Sequence, residues 1–140
     1  MGKKIFLELL NTSNAHRGLA RQGFNRLELS DGQPKVFNIL YYTEGIVQKD
    51  LAKICGVKAS TLTTILARME KQGYIRKEKV LVSGGKRAFS IYLTEEGKKK
   101  AQQVIDLVEE LEEKSFAGFS QEEIDTLFAL LEKVQNNLKD

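Results

Sequence analysis

The chain of 140 residues is long enough for one domain with a hydrophobic core and too short for two independent ones. No apolar run approaches the length that spans a bilayer, and residues 1–8 place charge where a signal peptide has its apolar region. We therefore expect a cytoplasmic protein with no membrane partner. The single cysteine excludes an internal disulfide and a cysteine-cluster metal site.

The formal net charge of +3 is distributed unevenly. Residues 46–93 contain ten Lys or Arg and three Asp or Glu, a balance of +7. Residues 94–140 contain six Lys and twelve Asp or Glu, a balance of −6, and residues 1–45 carry the remaining +2. A basic centre between neutral or acidic flanks is typical of a protein whose central region alone binds a polyanion.

Apolar residues at helical spacing predict a first helix over residues 4–27. Its middle, residues 11–18, has low helix propensity, so packing or contact with another subunit must hold it. Ser30 and Gln33 have the spacing of a capping box, in which the Ser30 side chain accepts from the Gln33 backbone N–H and Gln33 reaches back. A second helix follows, and then residues 46–47 as a very short strand.

Residues 48–67 have the pattern of a helix-turn-helix. Ala52 falls where two crossing helices leave room only for a methyl group. Gly56 falls where the first helix must end in a left-handed turn, which glycine adopts at little cost. The small core of the motif would consist of Leu51, Cys55, Val57, Leu62 and Ile65. Such a motif presents its second helix to the major groove of DNA.

The second helix of this motif has two different sides. At 100° per residue, the apolar side consists of Leu62, Ile65, Leu66 and Met69. The opposite side is small, hydroxylated and basic, and consists of Ser60, Thr64, Ala67 and Lys71, flanked by Thr63 and Arg68. An ordinary amphipathic helix is the alternative, but this face together with Ala52 and Gly56 favours DNA binding.

Two strand candidates follow Gly73, over residues 75–82 and 88–93. Between them, residues 83–87 (Ser-Gly-Gly-Lys-Arg) predict a glycine-rich hairpin tip that carries two cations. A helix-turn-helix followed directly by such a hairpin is a winged helix. Its tip is suited to a minor groove or to the phosphates beside it.

Two further helices are predicted, the first over about residues 95–116 and the second after a capping box from Ser120 to Glu123. Together with the first helix, they hold more apolar residues than a winged helix of this size can cover. The simplest way to cover them is pairing of both chain ends with a second copy of the chain.

The predicted fold is therefore mainly α with a small β wing. A winged helix-turn-helix over residues 30–93 would bind DNA. Residues 1–28 and 95–140 would be N- and C-terminal dimerisation helices, and the whole of residues 1–140 would form a single domain.

These motifs, in this order, resemble the MarR family of bacterial and archaeal transcriptional regulators over nearly the full chain. The matching segments are residues 29–33, the core within residues 51–63, residues 69–76, the wing and residues 93–97. The resemblance implies a homodimer of triangular outline, with interlocked terminal helices and two winged helices that read a palindromic operator. Family members usually repress, and a small phenolic or other ligand, or oxidation, often releases them.

The chain departs from the family pattern at two points. The family's wing tip commonly carries an acidic residue two before a conserved arginine, which it orients. Here Gly85 occupies the acidic position and Arg87 keeps the arginine, so we expect Arg87 to be less pre-organised. The peroxide-sensing branch has its reactive cysteine in the first helix, where this chain has none. Cys55 is therefore interpreted as a small buried hydrophobe, with redox sensing as the alternative.

Three groups of contacts with double-stranded DNA are expected. Gln48, Lys49 and Lys58 would contact phosphates and set the register. Ser60, Thr63, Thr64 and Arg68 would face the major groove, where only Arg68 can contact guanine in a bidentate way. Lys86 and Arg87 would line the minor groove, which A·T-rich sequence narrows. Thr61 completes the predicted set, and the predicted operator is an A·T-rich palindrome with half-site centres about one helical turn apart.

A small-molecule effector would bind where the long end helices meet the winged helix, since a ligand there can change the spacing of the recognition helices. Asn14, His16 and Arg17 could supply polar groups to this site. A surface or interface histidine is the alternative reading of His16.

The sequence predicts no enzyme and no cofactor. One His, one Cys, no glycine-rich phosphate loop after a strand and no metal-ligand spacing leave no convergent reactive set. A winged-helix adaptor that binds protein instead of DNA remains the alternative. The balance of +7 and the cationic wing tip favour DNA, because an adaptor has no need of them.

Overall fold

The computed structural model describes residues 2–139. Its α-helices are α1 (Ile5–Arg26), α2 (Gln33–Tyr42), α3 (Gln48–Cys55), α4 (Ala59–Lys71), α5 (Glu95–Ser115) and α6 (Gln121–Leu138). Strands β1 (Ile46–Val47), β2 (Ile75–Val82) and β3 (Lys86–Leu93) form an antiparallel sheet in the order β1-β3-β2. The predicted class, mainly α with a small β wing, is confirmed.

The described chain divides into two compact units, and the division lies within α5, between Val108 and Glu109. In the first unit, buried side chains from α2, α3, α4, the sheet and α5 form one hydrophobic core. Its largest fully buried apolar members are Phe37, Leu40, Leu51, Leu62, Leu66, Met69 and Ile91. Within residues 2–139, no helix combines the length and apolar character needed to cross a membrane.

The start of α2 differs from the predicted capping box. Gln33 Oε1 accepts from the Ser30 backbone N–H at 3.2 Å, as expected, but the Ser30 side chain makes no cap. Gly32, with a left-handed φ of 89°, is the N-cap, and the Ser30 carbonyl oxygen takes the Gln33 N–H at 3.2 Å. The reciprocal bond was wrongly predicted because the glycine turn places Ser30 two residues before the cap. At Ser120 both bonds of the capping box are present, so that prediction is confirmed.

The wing tip is shorter than predicted. It consists of Ser83–Gly85, and β3 begins at Lys86, which pairs with Val82, while Arg87 pairs with Leu81. Gly84 and Gly85 have φ values of 82° and 72°, so the chain reverses within three residues. The placement of Lys86 and Arg87 in the tip was therefore wrong; both are the first residues of a strand and are exposed.

The start of α5 packs directly on the chain that follows α4. Thr94 Oγ1 accepts from the Gly97 N–H at 3.0 Å and donates to the Gly73 carbonyl oxygen. A Cβ on Gly97 would lie only 1.9 Å from the Tyr74 carbonyl oxygen. This close approach connects the wing base to α5 and requires glycine at position 97.

Apolar side chains on α1 and α6 remain exposed. In α1 they include Phe6, which is 75% exposed, together with Ile5, Leu7, Leu9 and Leu10. In α6 they include Phe128, which is 53% exposed, together with Leu127, Leu130, Leu131 and Leu138. Monomeric proteins rarely leave so many neighbouring apolar side chains in water.

Candidate nucleic-acid interface

The helix-turn-helix is formed by α3 and α4. Gly56 ends α3 with φ 68° and ψ 32°, the left-handed conformation expected of it, and the Val57 N–H returns to the Ala52 carbonyl oxygen at 3.1 Å. Leu51, Cys55 and Leu62 are buried in the core, and Val57 and Ile65 are half-buried against it. These contacts fix the direction in which α4 leaves the turn.

The outer face of α4 is exposed along its length. Its exposed side chains include the predicted contacts Ser60, Thr61, Thr63, Thr64 and Arg68. The first turn has no acidic residue and no side-chain cap, so its backbone N–H groups are free for a phosphate. Lys58 immediately precedes this turn and is also exposed. The face therefore combines cations, hydroxyls and free N–H donors, which suit a polyanion.

The hydroxyl groups of two threonines on this face form hydrogen bonds within the protein. Thr63 Oγ1 donates to the Ala59 carbonyl oxygen at 2.9 Å, and Thr64 Oγ1 donates to the Ser60 carbonyl oxygen at 3.2 Å. Gln48 Nε2, from the first turn of α3, donates to Thr63 Oγ1 at 3.1 Å. Gln48 is thus joined to α4, a contact that the spacing of the two residues in the sequence did not indicate. Lys49 is exposed beside it.

Among the described residues, the wing carries two unpaired cations at the start of β3 and a paired one at its base. In the described part of the chain, no carboxylate forms an ion pair with Lys86 or Arg87. Arg76, at the base, pairs with Glu78 and lies 4.4 Å from the centre of the Tyr92 ring. Unpaired charge of the wing therefore lies at the start of β3, next to the tip.

A cavity of about 610 Å³ opens between α1, the segment leading into α2, and α5. Three cations, Arg17, Arg21 and Lys35, line it together with apolar groups that include Phe24 and Val108, and Arg21 pairs at 3.7 Å with Asp31, which is also in the wall. Of the predicted effector residues, Arg17 lies in its wall, whereas Asn14 and His16 are exposed on α1 and are not part of that wall. The sequence did not indicate Arg21 and Lys35 as cavity residues, because they lie in different helices and no sequence motif links them.

Residues 32–35, two of which (Gly32 and Lys35) line the cavity and contact the helix-turn-helix directly, make three contacts with that motif. Lys35 Nζ donates to the Cys55 carbonyl oxygen at 2.9 Å, at the end of α3. Gly32 packs so closely on Ile65 of α4 that an added Cβ would lie 2.7 Å from its Cδ1. Gln33, buried in the core, donates through Nε2 to Gln72 Oε1 at 2.7 Å, at the C-cap of α4.

Cys55 is buried, and this burial raises the pKa of its thiol, an effect that the nearby Lys35 ammonium partly opposes. A thiol held in its neutral form is a poor nucleophile. Cys55 is thus a small buried hydrophobe, as interpreted from the sequence.

Comparisons with known proteins place this geometry among transcriptional regulators. The model of the MarR family matches residues 29–80. The HTH-type transcriptional regulator YybA of Bacillus subtilis (strain 168) is 31% identical over 135 residues, which cover 96% of this chain and 89% of that protein.

Solved structures share the fold over nearly the whole chain. A MarR family transcriptional regulator from Listeria monocytogenes, complexed with 26mer DNA, superposes with a TM-score of 0.85 at 25% identity, covering 98% of this chain and 90% of that one. NadR, in complex with 4-hydroxyphenylacetate, superposes with a TM-score of 0.79 at 25% identity, covering 95% and 93%.

Proposed function

Because the chain belongs to the MarR family of transcriptional regulators, we propose that it is a ligand-responsive repressor that binds an A·T-rich palindromic operator as a homodimer. The outer face of α4 carries this proposal. It is exposed, it has no carboxylate before Glu70, and it lies in a region whose charge balance is +7. Acidic side chains on such a face would repel the phosphates that dominate protein–DNA affinity.

The proposed contacts divide by groove. Lys49, Lys58 and the free N–H groups at the start of α4 bind phosphates, and these contacts orient the protein on the duplex. Arg68, with the hydroxylated residues of α4, reads base edges in the major groove. Lys86 and Arg87 lie along the minor groove, where a narrow A·T-rich sequence strengthens the negative potential.

The homodimer is supported by the exposed apolar side chains of α1 and α6. Burying them against a second copy removes apolar surface from water, which stabilises the dimer by about 25 cal/mol per Å² of apolar area buried. The dimerisation helices of the proposal lie in residues 1–28 and 95–140, and the DNA-binding lobe in residues 30–93. Two copies related by two-fold symmetry read a palindrome, whose half-site spacing the dimer sets.

The effector proposal rests on the cavity beside α1 and α2. Its volume of about 610 Å³ suits a small molecule. Arg17 and Lys35, which form no ion pair within the described residues, together with Phe24 and Val108 suit an aromatic carboxylate. A carboxylate that draws the Lys35 ammonium group into the cavity would move it away from the Cys55 carbonyl oxygen, to which it donates at 2.9 Å. The end of α3 would lose a hydrogen bond, and operator affinity would fall by linkage.

Selection from pooled random-sequence duplexes, repeated at two salt concentrations, tests the DNA proposal. We expect enrichment of an A·T-rich palindrome whose affinity falls steeply with salt. Weak binding without sequence preference would contradict it and favour the protein-binding adaptor.

Titration of 4-hydroxyphenylacetate into the protein–operator complex tests the effector proposal with a defined aromatic acid. We expect the acid to lower operator affinity of the wild type and to have a smaller effect on Lys35→Met, which keeps the apolar stem but lacks the ammonium. An equal response of both proteins would contradict the role of Lys35.

A further inference from the structure

We propose that Gln48 is a positioning residue for base recognition, which holds Thr63 so that its oxygen meets the major groove as a hydrogen-bond acceptor only. At one position of each half-site, the pair then selects a base with an amino donor, adenine or cytosine, over guanine. This inference rests on the proposed binding of DNA by α4.

The direction of the Thr63 hydroxyl follows from its partner. The Ala59 carbonyl oxygen, 2.9 Å away, can only accept, so the Thr63 proton points back into α4. The hydroxyl oxygen keeps two acceptor sites, and the side chain is exposed on the outer face. While its proton is engaged by the Ala59 carbonyl oxygen, Thr63 cannot donate to a base.

Gln48 holds this arrangement from the neighbouring helix. Its Nε2 donates to Thr63 Oγ1 at 3.1 Å, and Gln48 itself is half-buried at the start of α3. Turning the Thr63 hydroxyl to offer its proton to DNA would break the bond to the Ala59 carbonyl oxygen, and rotating the whole side chain about χ1 would break the bond from Gln48 as well. One acceptor site of the oxygen remains for a base.

Thr64 is a natural comparison within the same helix. It makes the equivalent bond to the Ser60 carbonyl oxygen, at the longer distance of 3.2 Å. In the part of the chain that the structure describes, no side chain of α3 donates to it. Thr64 can therefore rotate and serve as donor or acceptor, whereas Thr63 is restricted to one role.

The chemistry of the major groove converts this restriction into a base preference. Adenine N6 and cytosine N4 carry amino donors, whereas guanine presents only the acceptors N7 and O6. The Thr63 oxygen, acting only as an acceptor, can bond to the amino group of adenine or cytosine. At guanine it would face another acceptor, N7 or O6, and no hydrogen bond could form. The Gln48 amide is thereby used within the protein, instead of in the phosphate contact expected from its sequence position.

The test uses the selected operator with all four base pairs introduced symmetrically at each half-site position. Affinities are measured for the wild type, Thr63→Val, Thr63→Ser, Gln48→Met and the double variant Thr63→Val/Gln48→Met, with Thr64→Val as the matched control. Thermal unfolding shows that each variant is folded. A wild type without sequence-specific binding would overturn the proposed function itself, independently of the variants.

We expect one position at which the wild type prefers adenine or cytosine to guanine, by about 5- to 100-fold. Thr63→Val and Gln48→Met should each reduce that ratio, and the double variant should equal Thr63→Val alone, because Gln48 acts through Thr63. Thr63→Ser should keep the preference, since it keeps the hydroxyl. Thr64→Val, at a residue that is itself proposed to face the major groove, should change affinity but leave the base ratio at this one position unchanged.

Two results would overturn the inference. If Gln48→Met weakens binding equally for every sequence, and does so also in the Thr63→Val background, Gln48 is a phosphate contact. If Thr63→Ser loses the preference as fully as Thr63→Val does, the methyl group of Thr63, in contact with a thymine methyl, accounts for the selectivity.

Discussion

Gly97 shows how a missing side chain can determine where a helix lies. Its backbone N–H is capped by Thr94, and the Tyr74 carbonyl oxygen occupies the space where a Cβ would be. A backbone carbonyl has little freedom to move aside, because Tyr74 also accepts from the Thr94 N–H at 3.0 Å. Position 97 therefore requires glycine because no space is left for a Cβ, and not because the backbone there adopts a conformation that only glycine allows.

We expect Gly97→Ala to lower the free energy of unfolding by about 3 kcal/mol or more, since the added methyl group overlaps backbone. Gly18→Ala is the control, because a Cβ at this position meets nothing within 4 Å. The substitution also replaces a glycine inside α1 by a better helix former. It should raise stability by about 0.5–1 kcal/mol. Urea unfolding measures both; equal effects would contradict the steric explanation.

Cys55 leads to a prediction about pH. Because burial raises the thiol pKa above its unfolded value, the folded state holds this proton more tightly than the unfolded state. The resulting stability is present below the unfolded pKa and is lost as the pH rises through the folded pKa. The unfolding free energy of the wild type should therefore fall, relative to Cys55→Ala, as alkaline pH is approached in urea titrations. A constant difference between the two proteins would argue against a buried neutral thiol.

At the scale of an element, the wing carries one arginine that is paired within the described residues and one that is not. Arg76 is held at the base by Glu78 and the Tyr92 ring, whereas Arg87, the second residue of β3, has no carboxylate partner in the described chain. Gly85, which stands where the related family commonly has an acid, belongs to the three-residue turn. The wing geometry is consistent with the expectation that Arg87 is oriented less by the protein and more by DNA shape.

Arg87→Ala should weaken operator binding and make its salt dependence shallower, by about one unit of log–log slope per wing, because one phosphate-region cation is lost. Lys98→Ala removes the same charge from α5, where Lys98 lies 3.5 Å from Glu95, and should change neither quantity appreciably. Titrations over a salt series measure both variants. An Arg87→Ala slope equal to that of the wild type would remove Arg87 from the interface.

At the scale of the whole molecule, the exposed apolar residues of α1 and α6 determine the proposed assembly. We expect a dimer at micromolar concentration by sedimentation. Phe128→Glu, in α6, should shift it toward monomer and weaken operator binding, because a charge would be buried in the proposed dimer interface. Tyr42→Glu, at an aromatic residue of α2 that is 68% exposed, is the control and should remain dimeric. A monomeric wild type that binds a palindrome tightly would contradict this assembly.

Much of the architecture could be predicted from the sequence because its signals are local. The left-handed turn at Gly56 and the capping box from Ser120 to Glu123 depend on residues at most five apart, whose geometry the backbone sets. The buried side of α4 follows from the helical period alone, and Leu62, Leu66 and Met69 are all fully buried. The same local reasoning failed at Ser30, where a left-handed glycine moved the start of the helix.

Only the tertiary structure decided the contacts that join distant segments. Gln48 to Thr63, Lys35 to the Cys55 carbonyl oxygen and Gln33 to Gln72 span 15, 20 and 39 residues. It likewise placed Arg17 and Lys35 in one cavity wall. Such contacts depend on the angle and distance at which packed helices cross, and on side-chain rotamers selected by that packing. Neither quantity is encoded in local spacing, so the sequence determined the elements and their buried faces, whereas packing determined how the site is connected.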